Sequence, residues 1–529
     1  MTSMNDLIAT AEGLVLGVRG KRGRAGTISW KGIPFAAPPV GELRFRAPQP
    51  LTPWKGKLDA KAYGTAEIQD KVYTAVGPGR YQPTGEDCLT LNVFSPDRIS
   101  ATPRPVMVFI HGGAYLLGTT ATPLYDGALL AKAGDVVVVT VQYRFGPFGY
   151  LDFSQYSDDS RTFEDNLGLR DQVASLEWVQ RNIAAFGGDP DNVTVFGESA
   201  GGSSVTALLA TPAAKGLFTR AIAQSPANEL NFSREVANHF AQEVVKQLAD
   251  PDYRMGSGGA EIDPARAREL LENASPQQLH KAGKRLTAYA PHSGNGELLP
   301  FGPVFGTDYL PQHPNAAARD GNTHAVPLII GTNRDEALLF TRGMSLLPGK
   351  ERNKMEGLLP EPEQIFVSVA DAAARAALVE AYSDGRRGDQ VRMLGDSIFW
   401  GPAVPFVEGH AAAGNPTYVY RYDFSTKVLR ASGFGATHAT ELFAVFGAFR
   451  TAIGAGLTVG DWRATGKLTR VIQGHWTTFA RTGSPELQWS PYTSENRDLM
   501  VFDVHSRMVR DPYPHRREAW MRAHGTVLA

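Results

Sequence analysis

The spacing of hydrophobic residues changes along the chain. Up to about residue 90, short β-rich pieces alternate with turns, as in Gly13-Leu14-Val15-Leu16-Gly17 and Thr27-Ile28-Ser29-Trp30, before a Pro-rich crossing from Pro34 to Pro50. This pattern predicts antiparallel edge strands. From Val106 onward the strands become continuous apolar runs: Val106-Met107-Val108-Phe109-Ile110, Val136 to Val141, and Val193-Thr194-Val195-Phe196. Runs that are apolar on both faces fit a buried, mostly parallel sheet. Between the second and third runs, Leu169, Val173, Leu176, Val179 and Ile183 recur at helical spacing among Arg170, Asp171, Glu177 and Arg181, which predicts a crossover helix covering the sheet. Later candidate strands are Ala221-Ile222-Ala223, Leu328-Ile329-Ile330 and Tyr418-Val419-Tyr420-Arg421-Tyr422. The stretch Pro251 to Gly259 reads as a mobile surface loop.

A length of 529 residues fits either two or three domains or one α/β domain with insertions, and the strand pattern favours one sheet. The expected division of a single domain over 1–529 is a β-rich edge at 1–100, a core at 101–230, helical insertions at 231–325 and 340–415, and a C-terminal core part at 416–529. With 53 Lys+Arg against 54 Asp+Glu, nothing draws the chain to nucleic acid or anionic lipid, so a small or neutral partner is expected. Cys88 is the only cysteine, which rules out an intrachain disulfide and multi-thiolate metal sites. Met1 to Gly17 has no basic segment leading into an apolar one, and no apolar run approaches the ~18 residues of a membrane span. The expected setting is cytoplasmic, with no membrane association.

Chemistry enters with Gly197-Glu198-Ser199-Ala200-Gly201, which follows the strand ending at Phe196 and precedes the helix-like Ser203 to Leu209. Such a strand–turn–helix context marks a nucleophile elbow, where the glycines make room for a strained turn that lifts the serine hydroxyl above the sheet. The pentapeptide alone is more often a Gly-rich helix start. A serine hydroxyl needs a base, usually a histidine oriented by a carboxylate, and in such folds both follow the serine in the chain. The strand Leu328-Ile329-Ile330 runs into Gly331-Thr332-Asn333-Arg334-Asp335-Glu336, so either Asp335 or Glu336 fits the acid. Among later histidines, His438 in the loop-like Gly433 to Glu441 is the leading candidate, whereas His410 and His475 lie in helical surroundings that point to packing or surface residues. His111-Gly112-Gly113-Ala114-Tyr115 follows the first central strand, where backbone amides can turn toward a bound carbonyl oxygen, joined by the amide of Ala200. A Gly-Gly after a strand is otherwise just a turn.

These features resemble the type-B carboxylesterases, which include bacterial p-nitrobenzyl-esterase-like enzymes and the cholinesterases. The resemblance spans nearly the whole chain: Lys31-Gly32-Ile33-Pro34-Phe35-Ala36, Pro38-Pro39-Val40-Gly41 through Leu43-Arg44-Phe45, and Glu86-Asp87-Cys88-Leu89-Thr90-Leu91-Asn92-Val93. It continues through Asn166-Leu167-Gly168-Leu169-Arg170-Asp171-Gln172, Phe186-Gly187-Gly188-Asp189-Pro190 and the elbow itself. It implies an α/β-hydrolase fold, a mostly parallel sheet flanked by helices. It also implies Ser199 as nucleophile, Glu336 rather than Asp335 as acid, His438 as base, and the amides of Gly113, Ala114 and Ala200 as oxyanion hole. By the same resemblance Glu198 and Ser225 sit near the histidine, Phe340 lines the substrate pocket, and Arg44 and Glu86 form a structural ion pair. Leu339, Phe399 and Trp400 either line the site or pack the core, and core packing is the expectation.

Two departures bear on function. The cysteine matching Cys88 pairs with a second cysteine in secreted relatives, and that partner is absent here, so Cys88 is expected to be a small buried packing residue. Cholinesterases carry a cation-binding tryptophan shortly before the position of Glu86, whereas Lys55 to Gly85 contains none, which disfavours a quaternary-ammonium substrate. The expectation is a carboxylesterase acting on neutral small organic esters through an acyl-enzyme, with no metal and no cofactor. The alternatives are a lipase, amidase or carbamate hydrolase with the same triad, or an inactive adhesion or scaffold protein of the same fold.

Overall fold

Eleven strands form the central sheet of the computed structural model, which describes residues 4–294, 297–343, 371–383 and 389–525. In chain order they are β1 (Val18–Arg19), β2 (Thr27–Pro34), β3 (Thr90–Pro96), β4 (Arg104–Ile110), β5 (Val137–Val141), β6 (Gly188–Glu198), β7 (Arg220–Gln224), β8 (Leu328–Asn333), β9 (Thr417–Tyr422), β10 (Asp498–Phe502) and β11 (Arg507–Arg510). Across the sheet they run β1-β2-β3-β5-β4-β6-β7-β8-β9-β10-β11. Pairing is parallel from β5 through β10 and antiparallel at both edges. This is the mostly parallel, helix-flanked sheet expected of an α/β hydrolase.

Alternation along the strands divides the core into two layers. On β4, Val106, Val108 and Ile110 join the cluster under the helices Leu167–Asn182 and Ala200–Leu209. Met107 and Phe109 point the other way, toward Leu468, Ile472, Trp476 and Phe479 of the helix Trp462–Thr482. Asp171 of the crossover helix is buried in a bidentate pair with Arg144, 2.7 and 2.8 Å. A guanidinium fork satisfies both carboxylate oxygens there, and burial without it would be costly.

The N-terminal expectation needs one correction. Thr27–Pro34 does form an antiparallel edge, but Leu14–Leu16 belongs to a separate three-stranded sheet, antiparallel to Leu7–Ala9 and parallel to Lys57–Asp59. The parallel partner lies some forty residues downstream, which local alternation does not reveal. The region 231–325 holds the helices Arg234–Ala249, Pro264–Asn273 and Pro276–Tyr289, each capped at its N-terminus by the side chain of Ser233, Asp263 or Ser275. The loop after the first of these is tied down, because Gly256 N and Tyr253 Oη donate to the buried Glu243. Of the insertion expected at 340–415, residues 344–370 and 384–388 lie outside the described residues. No helix among the described residues is long and apolar enough to cross a membrane.

The chain leaves β4 to one side for β5 and returns to the other side for β6, so the strand order reverses between β4 and β6. The carboxyl ends of these two strands, Ile110 and Gly197, are paired in register. Open α/β sheets bind ligands at such a switch point.

Candidate active site

Ser199 sits at the turn from β6 into the helix Ala200–Leu209, with φ 60° and ψ −126°. This is a strained conformation for a non-glycine residue, held because its amide donates to Gln224 O at 2.9 Å and its carbonyl accepts from Ser203 N at 2.9 Å. The glycines on either side allow close approach: a Cβ on Gly197 would collide with Gly201 O, and one on Gly201 with Ile110 O. Together they bring the elbow down onto the end of β4 and leave the serine half-exposed above the sheet.

The loop after β4 closes around the same point. A Cβ on Gly112 would come within 2.8 Å of Ser199 Cβ and 2.6 Å of Glu198 O, so only glycine lets the loop approach the elbow this closely. Gly113, Ala114 and Tyr115 follow with φ of 122°, 55° and 56°, and the loop folds back as Leu116 N and Leu117 N both donate to Gly113 O. The amides of Gly113, Ala114 and Ala200 donate to no acceptor among the described residues, so they are available to an external oxygen. His111 lies beneath, stacked on Tyr143, and burial pushes its pKa down to about 4, which keeps the ring neutral near pH 7.

On the other side of Ser199 the loops after β7, β8 and β9 converge. His438 Nδ1 is 2.7 Å from Glu336 Oε2, while Glu336 Oε1 accepts from Ser225 Oγ at 2.6 Å and from Asn333 N at 2.7 Å. Asp335 faces away: its carboxylate accepts from Arg334 and from Ala436 N. Of the two adjacent carboxylates, Glu336 is therefore the one brought to the ring. Glu198 Oε1 approaches His438 Nε2 at 3.0 Å, though not aligned as a hydrogen bond, and Ser199 Oγ makes no hydrogen bond to the ring in this state. Catalytic hydrogen bonds are often long before a substrate is bound.

The ring is thus enclosed by carboxylates. Burial disfavours its charged form, but Glu198 and Glu336 outweigh that and raise the His438 pKa above the usual histidine value. Burial also raises Glu198, opposed by the charge of His438 and reinforced by Glu441 and Glu336. Glu441, which the sequence reading did not single out, is a third buried acid. It accepts from Gln224 Nε2 at 3.0 Å and from Asn333 Nδ2 at 2.5 Å, and burial together with Glu336 raises its pKa to about 7. A glutamate three positions after the histidine is the only hint the sequence offered.

Aromatic rings complete the site. Phe340 lies 5.3 Å from the His438 ring, with the planes at 43°. Phe399 corrects an expectation: it stacks on His438 with centroids 4.4 Å apart and planes at 26°, so it borders the site instead of only packing the core. Leu339 is 37% exposed, which also excludes core packing, while Trp400 is half-buried against the cluster that contains Trp520. His410 and His475 are buried away from the site, as expected. Arg44 and Glu86 form the expected ion pair at 2.6 and 2.7 Å, and Cys88 is a buried free thiol.

A strained serine beside free amides, with a histidine–glutamate pair opposite, is equipped for acyl transfer, and comparison with known proteins places it. The carboxylesterase family model matches residues 5–520. The chain belongs to the carboxylesterase family. The para-nitrobenzyl esterase of Bacillus subtilis (strain 168) is 38% identical over 501 residues, covering 93% of this chain and 94% of that one. The liver carboxylesterase of Sus scrofa is 33% identical, covering 94% and 89%. Among solved structures, a thermophilic PNB esterase aligns with a TM-score of 0.82 at 35% identity, covering 98% of this esterase and all of the other chain. A Geobacillus stearothermophilus carboxylesterase gives 0.79 at 34%, with the same coverage. The protein is a carboxylic-ester hydrolase of the serine type, acting on small-molecule esters.

Proposed function

We propose that Ser199, His438 and Glu336 form the catalytic triad of this esterase and that the amides of Gly113, Ala114 and Ala200 form its oxyanion hole. The observation that carries the reading is the His438–Glu336 contact of 2.7 Å on the same side of the sheet as a strained serine. His438 Nε2 takes the hydroxyl proton of Ser199 as Oγ attacks the ester carbonyl, and the three amides hold the resulting oxyanion. As the intermediate collapses, the same nitrogen gives that proton to the leaving alcohol, which departs and leaves an ester on Ser199. Water enters, loses a proton to His438 and attacks the acyl carbon. The acid is released, and the proton returns to Ser199 Oγ. Glu336 holds the ring in the Nδ1–H tautomer throughout, anchored by Ser225 and Asn333.

The substrates we infer are neutral aryl and benzyl-type esters of small carboxylic acids. Phe340 and Phe399 supply a flat apolar wall beside the histidine, and a relative is named for para-nitrobenzyl ester hydrolysis. Choline esters fit less well. The region from Lys55 to Gly85 has no tryptophan, and the exposed ring of Tyr81 is already covered by Lys71 Nζ at 4.6 Å. A buried free thiol and balanced charge favour the cytoplasm, away from membranes and nucleic acid. The test combines Ser199→Ala with a dialkyl fluorophosphate and a panel of esters. Labelling is expected at Ser199 alone, with kcat/KM for p-nitrobenzyl acetate at least ~10-fold above that for acetylcholine. Wild-type turnover by the alanine variant, or a preference for the choline ester, would refute the respective part.

A further inference from the structure

Phe399 reaches the histidine by way of an unusual piece of backbone. The helix Asp389–Gly395 passes into a single π-helical turn, Asp396–Trp400, and then into the helix Gly401–Ala412. Such turns strain the helix and occur mostly where they serve a site.

This one is fastened at both ends. Asp396 Oδ2 accepts from Tyr382 Oη at 2.6 Å, and Tyr382 Oη accepts from Trp520 Nε1 at 2.9 Å, so the turn is tied to the last helix, Pro514–Ala523. At Gly395 a Cβ would come within 3.2 Å of Glu336 Cβ and 3.1 Å of Ala337 N; at Gly401 it would come within 2.6 Å of Trp520 Cδ2. The turn is therefore wedged between the segment that carries Glu336 and the C-terminal helix, with Phe399 buried flat against His438.

The imidazole needs this support. Its bond to Glu336 fixes Nδ1 but leaves the ring free to tilt about that contact. The nearest partner for Nε2 is Glu198 Oε1 at 3.0 Å, which competes with Ser199 for the same nitrogen.

We propose that Phe399 is a positioning residue for His438: its ring, set by the π turn and the Asp396–Tyr382–Trp520 anchor, limits how far the imidazole can tilt toward Glu198, so that Nε2, which rests 3.0 Å from Glu198 Oε1, can still turn to Ser199. This rests on His438 being the base and extends that reading to the group that aims it. Phe399 transfers no proton and acts through the orientation of the imidazole.

The test measures p-nitrophenyl acetate hydrolysis by Phe399→Leu, Phe399→Tyr and Tyr382→Phe, with thermal melting as a folding check. Phe399→Leu keeps an apolar side chain but loses the flat face. It should lower kcat by ~10- to 100-fold with KM within ~2-fold, the scale of loss from misaiming a catalytic group. Phe399→Tyr should restore most of that loss. Tyr382→Phe, which cuts the anchor without touching the ring, should lower kcat by ~3-fold and carries the test if Phe399→Leu does not fold. Because Glu198 is the competitor, the cost of Phe399→Leu should shrink in a Glu198→Gln background, whereas independent roles would give additive losses. Retained kcat with altered KM and acyl preference in Phe399→Leu, or additive losses in the double variant, would overturn the proposal and leave Phe399 as pocket lining. Turnover retained by His438→Gln would instead refute the base assignment beneath it.

Discussion

Replacing Glu198 with glutamine removes one of the two carboxylates that face the His438 ring while keeping its size and its acceptor oxygen. Two unit charges 3.0 Å apart attract by about 5 kcal/mol at an effective dielectric constant near 20, which sets a ceiling of about four pH units on what this pairing adds to the histidine pKa. The realised effect is smaller. Both groups are buried, which penalises the charged form of each and offsets part of the attraction. Opposite charges at this range shift a pKa by about 1–3 units in practice. The base must be neutral to accept a proton, so activity is lost as pH falls through its pKa. With His438 raised, the acid limb of the wild-type kcat/KM profile should lie above the ordinary 6.5, and Glu198→Gln should move it down by ~1–2 units. The assay is p-nitrophenyl acetate hydrolysis from pH 5 to 10, read at a wavelength where phenol and phenolate absorb equally. A limb that stays in place or moves up would show that Glu198 does not sustain the charge on His438.

Three further outcomes follow from particular contacts. Glu336→Gln should lower kcat by about 10⁴-fold through loss of the correct tautomer, while Asp335→Asn should keep turnover within ~3-fold and only lower the melting temperature, since Asp335 braces Arg334 and Ala436. Gly112→Ala places a methyl 2.8 Å from Ser199 Cβ and should cost about 10²-fold in kcat/KM in a protein that still folds; near-wild-type activity would mean that the loop does not crowd the elbow. Burial raises Glu67 to about 8 in the folded protein, so its contribution to stability is full below its unfolded value near 4.5 and declines as pH rises toward 8. Glu67→Gln should therefore melt like wild type at pH 5 and a few degrees higher at pH 9; equal melting at both values would refute the burial argument.

Where function depends on local backbone, the sequence was readable. The elbow is specified by Gly197 and Gly201, whose missing side chains make room for neighbouring carbonyls, and five consecutive residues carry that information. Choosing between Asp335 and Glu336 was different. The two point to opposite sides of one turn, and which side meets the histidine depends on a strand pairing with β9 nearly a hundred residues away, so only family resemblance separated them. The place of Phe399 beside the site is not legible, because residue type alone argues for core packing, and the π turn at Asp396–Trp400, whose extra residue rotates the side chains that follow, leaves no mark in the spacing of apolar residues. Glu441 escaped notice because periodicity assigns no face to a residue in a loop, and its burial depends on Gln224 and Asn333 arriving from two other strands.

The anchor through Trp520 also imposes a timetable on synthesis. Ser199 is added roughly 320 residues before the tryptophan that fastens the π turn. At ~5–20 residues per second, a completed elbow waits roughly 16–64 s on the ribosome before the π turn beside it can be anchored to the last helix. During that interval the growing sheet has an open edge, first at β7 and then in turn at β8 and β9, until β10 adds. The emerging polypeptide is therefore a hydrolase without hydrolysis and an open template for unwanted strand pairing, and chaperone demand during translation should be set by the span from Gln224 to Phe502.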